Sequence, residues 1–395
     1  MKGISKNSVL SDLKELLDSN REQIIEQNRM DLDHASSLDP VLVDRLKVDD
    51  VKVDGMIKSV GDVIDMPDPT GEVIYSFTHD NGIYVENKVV PFGRVLIIYE
   101  SRPDVTIEAA ISAFKAGNQI LLKGGKEAKR SNLFLVELWH KALEKNGLNI
   151  DYVQYLDMNR EETQALIRMN ELNVDVIIPR GGDTLINFIQ SNTSIPVIVS
   201  GRGNNFAYVH EDADYEMVRN IVLDGKKRLS VCNALDKVLF HRSVPWITQR
   251  MSELVKALKD QGIDVHARQA QFGSLALFEK VDGEDIYFEE FLGPRILFEL
   301  VEDESAAIEM INKYSGGHTA VIITSDNSVA SEFQDKVDCA AVIHNASSRF
   351  TDGGQFGLGA EIAISTQKLH FRGPVSLTQL VTNKWIVRGS GQVRN

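Results

Sequence analysis

The chain has 395 residues, of which 43% are apolar and 25% are charged, a composition typical of globular proteins with two or three packed units. Its formal net charge of -14 repels the phosphates of nucleic acids and of anionic lipids, so we expect neither a nucleic-acid partner nor a membrane partner. With two cysteines, no apolar run long enough for a bilayer and a charged N-terminal segment unlike a signal peptide, the sequence predicts a cytoplasmic protein without a disulfide framework.

Helical periodicity predicts two helices at the start of the chain. Apolar residues recur among charged ones from Val9 to about Met30, and again from about Val51 to Val63. The second helix is expected to stop at the segment MPDPTGE, because its prolines and its glycine disfavour a helix.

A β-hairpin is predicted next. Strand-like residues flank Asp80-Asn81-Gly82, and Asn-Gly provides the positive backbone dihedrals of a tight hairpin turn. A two-stranded ribbon is marginally stable alone. We therefore expect this ribbon, residues 71–92, to pack against another surface, such as a second subunit.

From Arg94 to about Gly203, short apolar runs alternate with amphipathic helical segments. Such runs, bounded by glycines, are typical of a parallel sheet with crossover helices, so we predict a doubly wound α/β domain. Ligands of such sheets bind where the strands end. Three glycine turns follow the predicted strands, namely Lys123-Gly124-Gly125, Arg180-Gly181-Gly182 and Gly201-Arg202-Gly203. We expect all three at one edge of one sheet.

A second α/β unit is predicted from Phe206, because the same alternation resumes there. After Phe350 the segment TDGGQFGLGAEIAISTQKLHFRGP is rich in glycine and has little periodicity. We interpret it as a long ordered loop, a kind of segment that is usually functional. Near the end of the chain, TNKWIVRG predicts a terminal strand.

Cys232 is the strongest candidate for chemistry. It follows a cluster of bases, Lys226, Lys227 and Arg228. It also precedes the segment NALDKVLFH, which we interpret as the start of a helix. Cations and a helix N-terminus both stabilise a thiolate, the nucleophilic form of cysteine. A small buried apolar side chain is an equally good interpretation of this local pattern. Cys339 has no such neighbours and is interpreted as core packing on a strand.

The glycine turns and two charged residues are candidates for binding a dinucleotide. Backbone N–H groups of a glycine turn can hold a phosphate, although each turn alone is better explained as a sharp bend. Lys123 ends a predicted strand, where its ammonium can meet ribose or phosphate oxygens, and a solvated lysine is the alternative. Glu290 can accept hydrogen bonds from ribose hydroxyls, but its local sequence favours a surface carboxylate.

Basic residues in and before the glycine-rich loop are candidates for binding an anionic substrate. They are Arg349, Lys368, His370 and Arg372. Arginine forks suit carboxylate and phosphate groups, and solvated surface charges are the alternative. For Arg349 we favour function, because its small and aromatic neighbours give its charge no other purpose. No histidine spacing resembles a metal-binding motif, so no metal site is expected.

The chain resembles the gamma-glutamyl phosphate reductase family of the aldehyde dehydrogenase superfamily from about Arg94 to Gln392. The resemblance rests on the segments YESRPDVT, ILLKGGKEA, IIPRGGD, SVCNALDKVL, INKYSGGHT and NASSRFTDGGQFGLGAEIAISTQKLHFRGP. It implies an aldehyde dehydrogenase-like α/β fold with three parts. We assign residues 1–205 to a dinucleotide-binding domain and residues 206–365 to the catalytic domain. Residues 366–395 are assigned to a return segment and a C-terminal strand that joins the 71–92 ribbon in oligomerisation.

The resemblance also implies the reaction. Cys232 would attack L-glutamate 5-phosphate, supplied by glutamate 5-kinase, and NADP(H) would reduce the resulting thioester to L-glutamate 5-semialdehyde, the second step of proline biosynthesis. Asp104 takes the place of a family asparagine that binds the oxyanion, and an ionised Asp104 would repel that charge. A homo-oligomer, a dimer or a tetramer, is implied as well.

The resemblance places the remaining site residues in two groups. The implied cofactor-binding residues are Lys123, Gly124, Gly125, Arg180, Gly181, Gly182, Gly201, Gly203 and Glu290. The implied substrate-binding residues are Arg102, Arg349, Lys368, His370 and Arg372.

Two other functions stay open from the sequence. An acylating aldehyde dehydrogenase that acts on another acyl phosphate or on acyl-CoA would share Cys232 and the glycine turns. A catalytically impaired relative, kept for binding or assembly, would account for Asp104.

Overall fold

The computed structural model describes residues 6–35, 40–268, 272 and 278–394. Its helices are α1 (Lys6–Ser19), α2 (Arg21–Asp33), α3 (Pro40–Leu46), α4 (Asp50–Asp65), α5 (Val105–Lys115), α6 (Lys129–Lys145), α7 (Arg160–Met169), α8 (Asp183–Asn192), α9 (Tyr215–Gly225), α10 (Ile247–Lys259), α11 (Glu304–Tyr314) and α12 (Asn327–Lys336). Its strands are β1 (Val73–Thr78), β2 (Tyr84–Pro91), β3 (Arg94–Tyr99), β4 (Gln119–Lys123), β5 (Val153–Tyr155), β6 (Val176–Arg180), β7 (Asn205–Val209), β8 (Leu235–His241), β9 (Asp264–Ala267), β10 (Glu279–Lys280), β11 (Arg295–Val301), β12 (Thr319–Ile323), β13 (Ala341–His344), β14 (Ala363–Ser365), β15 (Gly373–Val375) and β16 (Val381–Arg388).

The chain forms two compact units. The first contains Met1–Val199, Gly357–Ala363 and Val375–Asn395, and the second contains Ser200–Phe356 and Ile364–Pro374. The predicted domains, residues 1–205, 206–365 and 366–395, stay a prediction; in this division the first unit ends at Val199 and regains the last residues of the chain. Pairing of β16 with β2 explains the division, because it returns the end of the chain to the first unit. The assignment of cofactor binding and catalysis to these units stays a prediction.

The sheet of the first unit explains where a ligand can bind. In the described chain its four parallel strands lie in the order β5-β4-β3-β6. Val95 and Ile97 of β3 pack among residues of α5 and α6, whereas Leu96 and Ile98 pack among residues of α7 and α8. The predicted doubly wound domain is confirmed. The strand order reverses between β3 and β6, the switch point at which such sheets bind ligands.

The sheet of the second unit is also parallel throughout its described strands. Their order is β10-β9-β11-β8-β7-β12-β13. Residues of α9 and α10 pack on one face, and residues of α11 and α12 pack on the other. The predicted second α/β unit is confirmed, and the loop that carries Cys232 enters this sheet at the amino end of β8.

The N-terminal helices differ from the prediction in one respect. The segment from Val9 to Met30 forms two helices, because the backbone leaves the helical path at Asn20, where ψ is 20°. The Asn20 side chain donates to the Leu16 carbonyl at 2.7 Å. The predicted second helix is confirmed as α4, which begins where the Asp49 carboxylate accepts the N–H of Lys52.

The predicted hairpin is confirmed and is part of a larger sheet. Strands β1 and β2 are antiparallel, and Gly82 in the connecting turn has a φ of +86°. The predicted terminal strand is confirmed as β16, which pairs with β2 from Val381↔Pro91 to Arg388↔Tyr84. These three strands form a ribbon sheet whose outer strand β1 is exposed at every position.

The glycine-rich segment after Phe350 has little regular structure, as predicted, apart from the short paired strands β14 and β15. Among the described helices, none combines the length and the hydropathy that crossing a bilayer requires.

Candidate active site

The backbone of Cys232 is held by two residues of the neighbouring chain segment. The Asn205 side chain donates to the Cys232 carbonyl at 2.8 Å and to the Ala234 carbonyl at 2.7 Å. Gly203 packs against the same carbonyl, since an ideal Cβ on Gly203 would lie 1.8 Å from the Cys232 oxygen. The Cys232 side chain is half-buried and forms no disulfide. The structure therefore presents a partly accessible thiol on a fixed backbone.

The helix predicted after Cys232 is wrong, because Leu235–His241 forms the central strand β8. Asp236 and Lys237 interrupt its apolar run, which made the segment resemble an amphipathic helix. Both charges are buried with partners: Asp236 accepts from Lys226 at 3.2 Å and Lys237 donates to the Asn204 side chain. No helix dipole acts on Cys232 from this segment.

The bases near Cys232 are largely matched by carboxylates. Lys226 is fully buried beside Asp236, and burial lowers the pKa of its ammonium group. Lys227 lies 3.2 Å from Asp224 on α9. The expected stabilisation of the Cys232 thiolate by these two cations is therefore reduced, and the thiolate stays a prediction.

Glu290, in the segment before β11, contacts the Gly201–Gly203 turn that packs against Cys232. Its carboxylate accepts the N–H of Gly203 at 2.9 Å, so it supports the turn on which Cys232 packs. Gly201 likewise leaves no space for a side chain, because a Cβ there would lie 1.9 Å from the Thr366 side chain. The segment before this turn pairs in parallel with β6 through Ile177↔Val197, so the turn follows the carboxyl end of a segment of the first sheet, as predicted. Gly201 and Gly203 belong to the second unit, where the chain enters β7.

The segment of Arg349 is also anchored beside Cys232. The Asn233 side chain donates to the Arg349 carbonyl at 3.2 Å, and the Ser348 hydroxyl donates to the Asn233 carbonyl at 2.8 Å. The Arg349 guanidinium lies 3.4 Å from the Asp224 carboxylate. The structure thus brings Arg349 and Cys232 into one hydrogen-bonded region.

Two of the other predicted substrate-binding cations, Lys368 and Arg372, pair with Asp338. Lys368 lies 2.9 Å from this carboxylate, and Arg372 pairs with it and donates to the Asp338 carbonyl at 2.7 Å. Hydrogen bonds from Arg372 and Lys368 lower the pKa of Asp338. His370, between them in sequence, is exposed. Substrate binding by these three residues stays a prediction.

In the first unit, the turn after β4 has room for glycine alone. Lys123 ends β4 as predicted, and its ammonium donates to the Gly124 carbonyl at 2.7 Å. Burial lowers the pKa of Lys123. A Cβ on Gly124 would lie 2.2 Å from the Asn132 side chain, and one on Gly125 would lie 2.1 Å from Glu127. The two glycines keep this turn close to the strand end.

In the turn after β6, Gly181 packs closely against Glu100, and the N-terminus of the following helix α8 has no side-chain cap. A Cβ on Gly181 would lie 2.6 Å from the Glu100 carboxylate, which also accepts the N–H of Gly182 at 3.1 Å. Gly182 precedes α8 without a side-chain cap, and nothing lies within 4 Å of its Cβ position. Arg180 is the last residue of β6. An uncapped helix start at a switch point suits a phosphate. The residues present therefore fit a dinucleotide.

Asp104 and Arg102 lie at the same switch point, between β3 and α5. Lys52 of α4 donates to the Asp104 carboxylate at 2.8 Å, and Arg102 lies 3.7 Å from the same oxygen. Sequence reasoning missed Lys52, because it occupies an ordinary position of an amphipathic helix. In the described residues, no group of His, Cys, Asp and Glu side chains is arranged to hold a metal ion.

The fold and the segment that carries Cys232 can be compared with those of known protein families. Residues 3–283 and 276–360 match the profile of the aldehyde dehydrogenase family. The chain therefore belongs to the aldehyde dehydrogenase family, whose members are oxidoreductases that use a nicotinamide cofactor.

Relatives of known name narrow this class to gamma-glutamyl phosphate reductases. The protein of that name from Caldicellulosiruptor bescii is 41% identical over 396 aligned positions, which cover 98% of this chain and 94% of the relative. The one from Clostridium beijerinckii is 42% identical with the same coverage. The crystal structure of gamma-glutamyl phosphate reductase from Thermotoga maritima matches with a TM-score of 0.92 at 39% identity, covering 99% of this chain and 94% of that chain. The predicted resemblance is confirmed.

Proposed function

We propose that the chain reduces L-glutamate 5-phosphate to L-glutamate 5-semialdehyde and phosphate with NADPH, the second step of proline biosynthesis. The proposal is supported by the names of relatives that are about 40% identical over nearly the whole chain. The structural observation that carries it is the half-buried thiol of Cys232, fixed by Asn205 and Gly203. Such a fixed and accessible thiol is the geometry that covalent catalysis needs.

Cys232 forms the covalent intermediate. Its sulfur, as the thiolate, attacks the carbonyl carbon of the acyl phosphate, and the bond from that carbon to the phosphate oxygen breaks. Inorganic phosphate leaves with the electron pair, and the glutamyl group stays on Cys232 as a thioester. NADPH, when bound, would supply the hydride that reduces the thioester. The Cys232 sulfur then leaves as a thiolate, which releases the semialdehyde.

Negative charge develops on the carbonyl oxygen in both steps. The backbone N–H of Cys232 is a donor for this oxyanion, and one such donor is worth on the order of 3 kcal/mol. Asp104 is the second residue assigned to this task. Its ionised side chain cannot donate, so the cations Lys52 and Arg102 beside it have to offset its charge.

We assign cofactor binding to the turns at the ends of the strands. Lys123, with Gly124 and Gly125, is proposed to bind the ribose and its phosphate, which favours NADPH over NADH because the ammonium matches the additional phosphate. Arg180, Gly181 and Gly182 are proposed to hold the pyrophosphate at the start of α8. From the turn beside Cys232, Gly201, Gly203 and Glu290 are proposed to complete the cofactor site.

The substrate and the partners follow from this reaction. Arg102, Arg349, Lys368, His370 and Arg372 are proposed to bind the carboxylate and the phosphate of the substrate. An acyl phosphate hydrolyses readily, so a kinase that phosphorylates glutamate has to supply it. We also propose a homo-oligomer joined through the ribbon sheet, and a cytoplasmic location, which suits two cysteines that form no disulfide.

The test is NADPH oxidation coupled to glutamate 5-kinase, with ATP and glutamate. We expect turnover by the wild-type chain and loss of turnover in Cys232→Ala. Cys339→Ala is the matched control, because Cys339 is buried in the core of the second unit and burial raises its pKa to about 11. Turnover with acyl-CoA instead of the acyl phosphate would establish an acylating aldehyde dehydrogenase. Full activity of Cys232→Ala would exclude the thioester.

A further inference from the structure

Three fully buried polar side chains form a hydrogen-bond chain at the amino end of β12. His318 precedes this strand, Thr319 is its first residue, and Thr351 follows the short helical turn Ser348–Phe350. The Thr319 hydroxyl lies 2.8 Å from Nδ1 of His318 and donates to the Thr351 hydroxyl at 2.9 Å. The chain of hydrogen bonds therefore joins β12 to the segment that carries Arg349 within the second unit.

The direction of these hydrogen bonds determines the form of the His318 ring. Thr319 has one hydroxyl proton and donates it to Thr351, so it can only accept from the N–H at Nδ1 of His318. Nε2 is therefore the unprotonated nitrogen, and it is buried without a hydrogen-bond partner among the described residues. Burial lowers the pKa of His318 to about 4, so the ring is neutral at physiological pH.

The core gains little stability from this hydrogen-bond chain. An unsatisfied buried acceptor such as Nε2 costs about 1–3 kcal/mol, whereas replacing both partners of a buried hydrogen bond by apolar groups of the same shape can be nearly neutral. Valine has the shape of threonine without the hydroxyl, so packing alone does not require Thr319 and Thr351. Their hydrogen bonds indicate a task other than stability.

Thr351 connects this chain of hydrogen bonds to Cys232. Its carbonyl accepts from the Asn233 side chain at 3.1 Å, and the same side chain donates to the Arg349 carbonyl at 3.2 Å. Asn233 is the residue directly after Cys232. Fixing Thr351 therefore fixes the segment that follows the nucleophile, together with a residue proposed to bind the anionic groups of the substrate.

We propose that His318, Thr319 and Thr351 are positioning residues of the reductase, which hold Asn233 and thereby set the place of the Cys232 sulfur against the substrate. This inference rests on the function proposed above, in which that sulfur forms the thioester. All three side chains are fully buried, so they act through Asn233 and the backbone around it rather than by contact with the substrate.

Two substitutions at position 319 test the hydroxyl. Thr319→Val keeps the shape of the side chain and removes both of its hydrogen bonds. We expect kcat in the kinase-coupled assay to fall on the order of tenfold or more, because a misplacement of about 1 Å can cost about 100-fold. Thr319→Ser keeps the hydroxyl and is expected to restore most of kcat. Alkylation by iodoacetamide checks that the variants are folded, since Cys339 is buried and only Cys232 is expected to react.

Thr324 provides the matched control at the opposite end of β12. It is also buried, and its hydroxyl donates to Asp212 at 2.7 Å. It follows the carboxyl end of the strand, whereas the loop of Cys232 enters the sheet at the amino end of β8. Thr324→Val is expected to lower the free energy of unfolding in urea and to leave kcat unchanged. Equal losses of kcat in Thr319→Val and Thr324→Val overturn the proposal.

A double variant separates positioning from stability. Thr319→Val combined with Thr351→Val leaves fewer buried polar groups unsatisfied than Thr319→Val alone, so its free energy of unfolding is expected to recover. Its kcat is expected to equal that of Thr319→Val, because the two hydroxyls act as one chain. A kcat that returns together with stability overturns the proposal, and so do losses that multiply in the double variant.

The wild-type rate distinguishes this inference from the function on which it rests. Wild-type turnover that Thr319→Val does not change removes the positioning role alone. If the wild-type chain does not reduce the kinase product, the proposed function fails and this inference fails with it.

Discussion

Gly203 leaves no space for a side chain beside Cys232. A Cβ would lie 1.8 Å from the Cys232 carbonyl oxygen, so Gly203→Ala has to move the turn that holds the thiol. We expect kcat to fall on the order of 100-fold, since a displacement of about 1 Å has that effect. Gly55→Ala on α4 is the matched control, because nothing lies within 4 Å of its Cβ position. Similar losses of kinase-coupled turnover in both variants would contradict the prediction.

Glu108 predicts a pH dependence of stability. Burial and the charge of Asp104 raise its pKa from 4.5 to about 7, so between these values the folded chain keeps a proton that the unfolded chain has released. The contribution of Glu108 to stability is therefore fully present below pH 4.5 and is lost as the pH rises to about 7. The loss is at most about 3 kcal/mol, at 1.36 kcal/mol per pKa unit.

Urea unfolding of the wild type and of Glu108→Gln measures this contribution. The glutamine cannot titrate, so its free energy of unfolding is expected to change less between about pH 5 and about pH 8 than that of the wild type. If the free energies of unfolding of the two chains change equally with pH, Glu108 has an ordinary pKa.

The sequence predicted individual site residues where their identifying neighbours, such as bases or a glycine pair, lie next to them in the chain. Cys232 and the ends of β4 and β6 were found in this way. Lys52 was not, because its contact with Asp104 joins residues 52 positions apart. The sequence showed that an aspartate at position 104 is a departure, but the cation that compensates it becomes visible only when α4 packs beside α5.

At the scale of elements, β8 shows why a buried strand can resemble a helix. A central strand normally has a continuous apolar run. Here Asp236 and Lys237 break that run, and their partners come from other elements, with Lys226 at the end of α9 and Phe291 before β11. A local sequence window contains none of these partners, so periodicity alone gave the wrong element.

The buried pair Asp236–Lys226 yields a prediction for this strand. Asp236→Ala leaves the Lys226 ammonium buried without its carboxylate, which we expect to cost about 3–5 kcal/mol of the free energy of unfolding. Lys226→Met combined with Asp236→Asn removes both charges and keeps an acceptor for the Phe291 N–H, so most of the loss is expected to return.

Chemical denaturation measures these differences, and an exposed pair provides the control. Lys58 and Asp62 on α4 lie 2.5 Å apart on the surface, where such a pair contributes about 0.2–0.5 kcal/mol. If Asp62→Ala is as costly as Asp236→Ala, burial of the β8 pair does not matter to stability.

At the scale of the whole molecule, the two α/β units were predictable and their exact composition was not. Alternating strands and helices indicated both units, because that periodicity is local. Local periodicity predicts consecutive domains, whereas the chain after Phe356 enters the first unit, returns to the second and ends in the first. That return depends on contacts such as the pairing of β16 with β2, which joins Val381 to Pro91. Residues so far apart in the sequence share no local window, and bringing them together closes a long loop.

The ribbon sheet predicts how chains assemble. One face carries exposed apolar side chains of the two outer strands, β1 and β16, at positions aligned through β2, with Tyr75 52%, Phe77 47%, Trp385 55% and Val387 60% exposed.

An exposed apolar patch of this kind marks an interaction surface. In a homo-oligomer the ribbon sheet of a second subunit can cover it. We expect the wild type to form an oligomer in light scattering after size exclusion. Trp385→Arg combined with Val387→Arg is expected to reduce the mass to that of one chain, because an interface would have to bury two unpaired cations. Val51→Arg, at an exposed valine on α4, adds a surface charge away from the ribbon and is expected to leave the mass unchanged. A monomeric wild type, or an oligomer that survives both arginines, would place assembly elsewhere on the molecule.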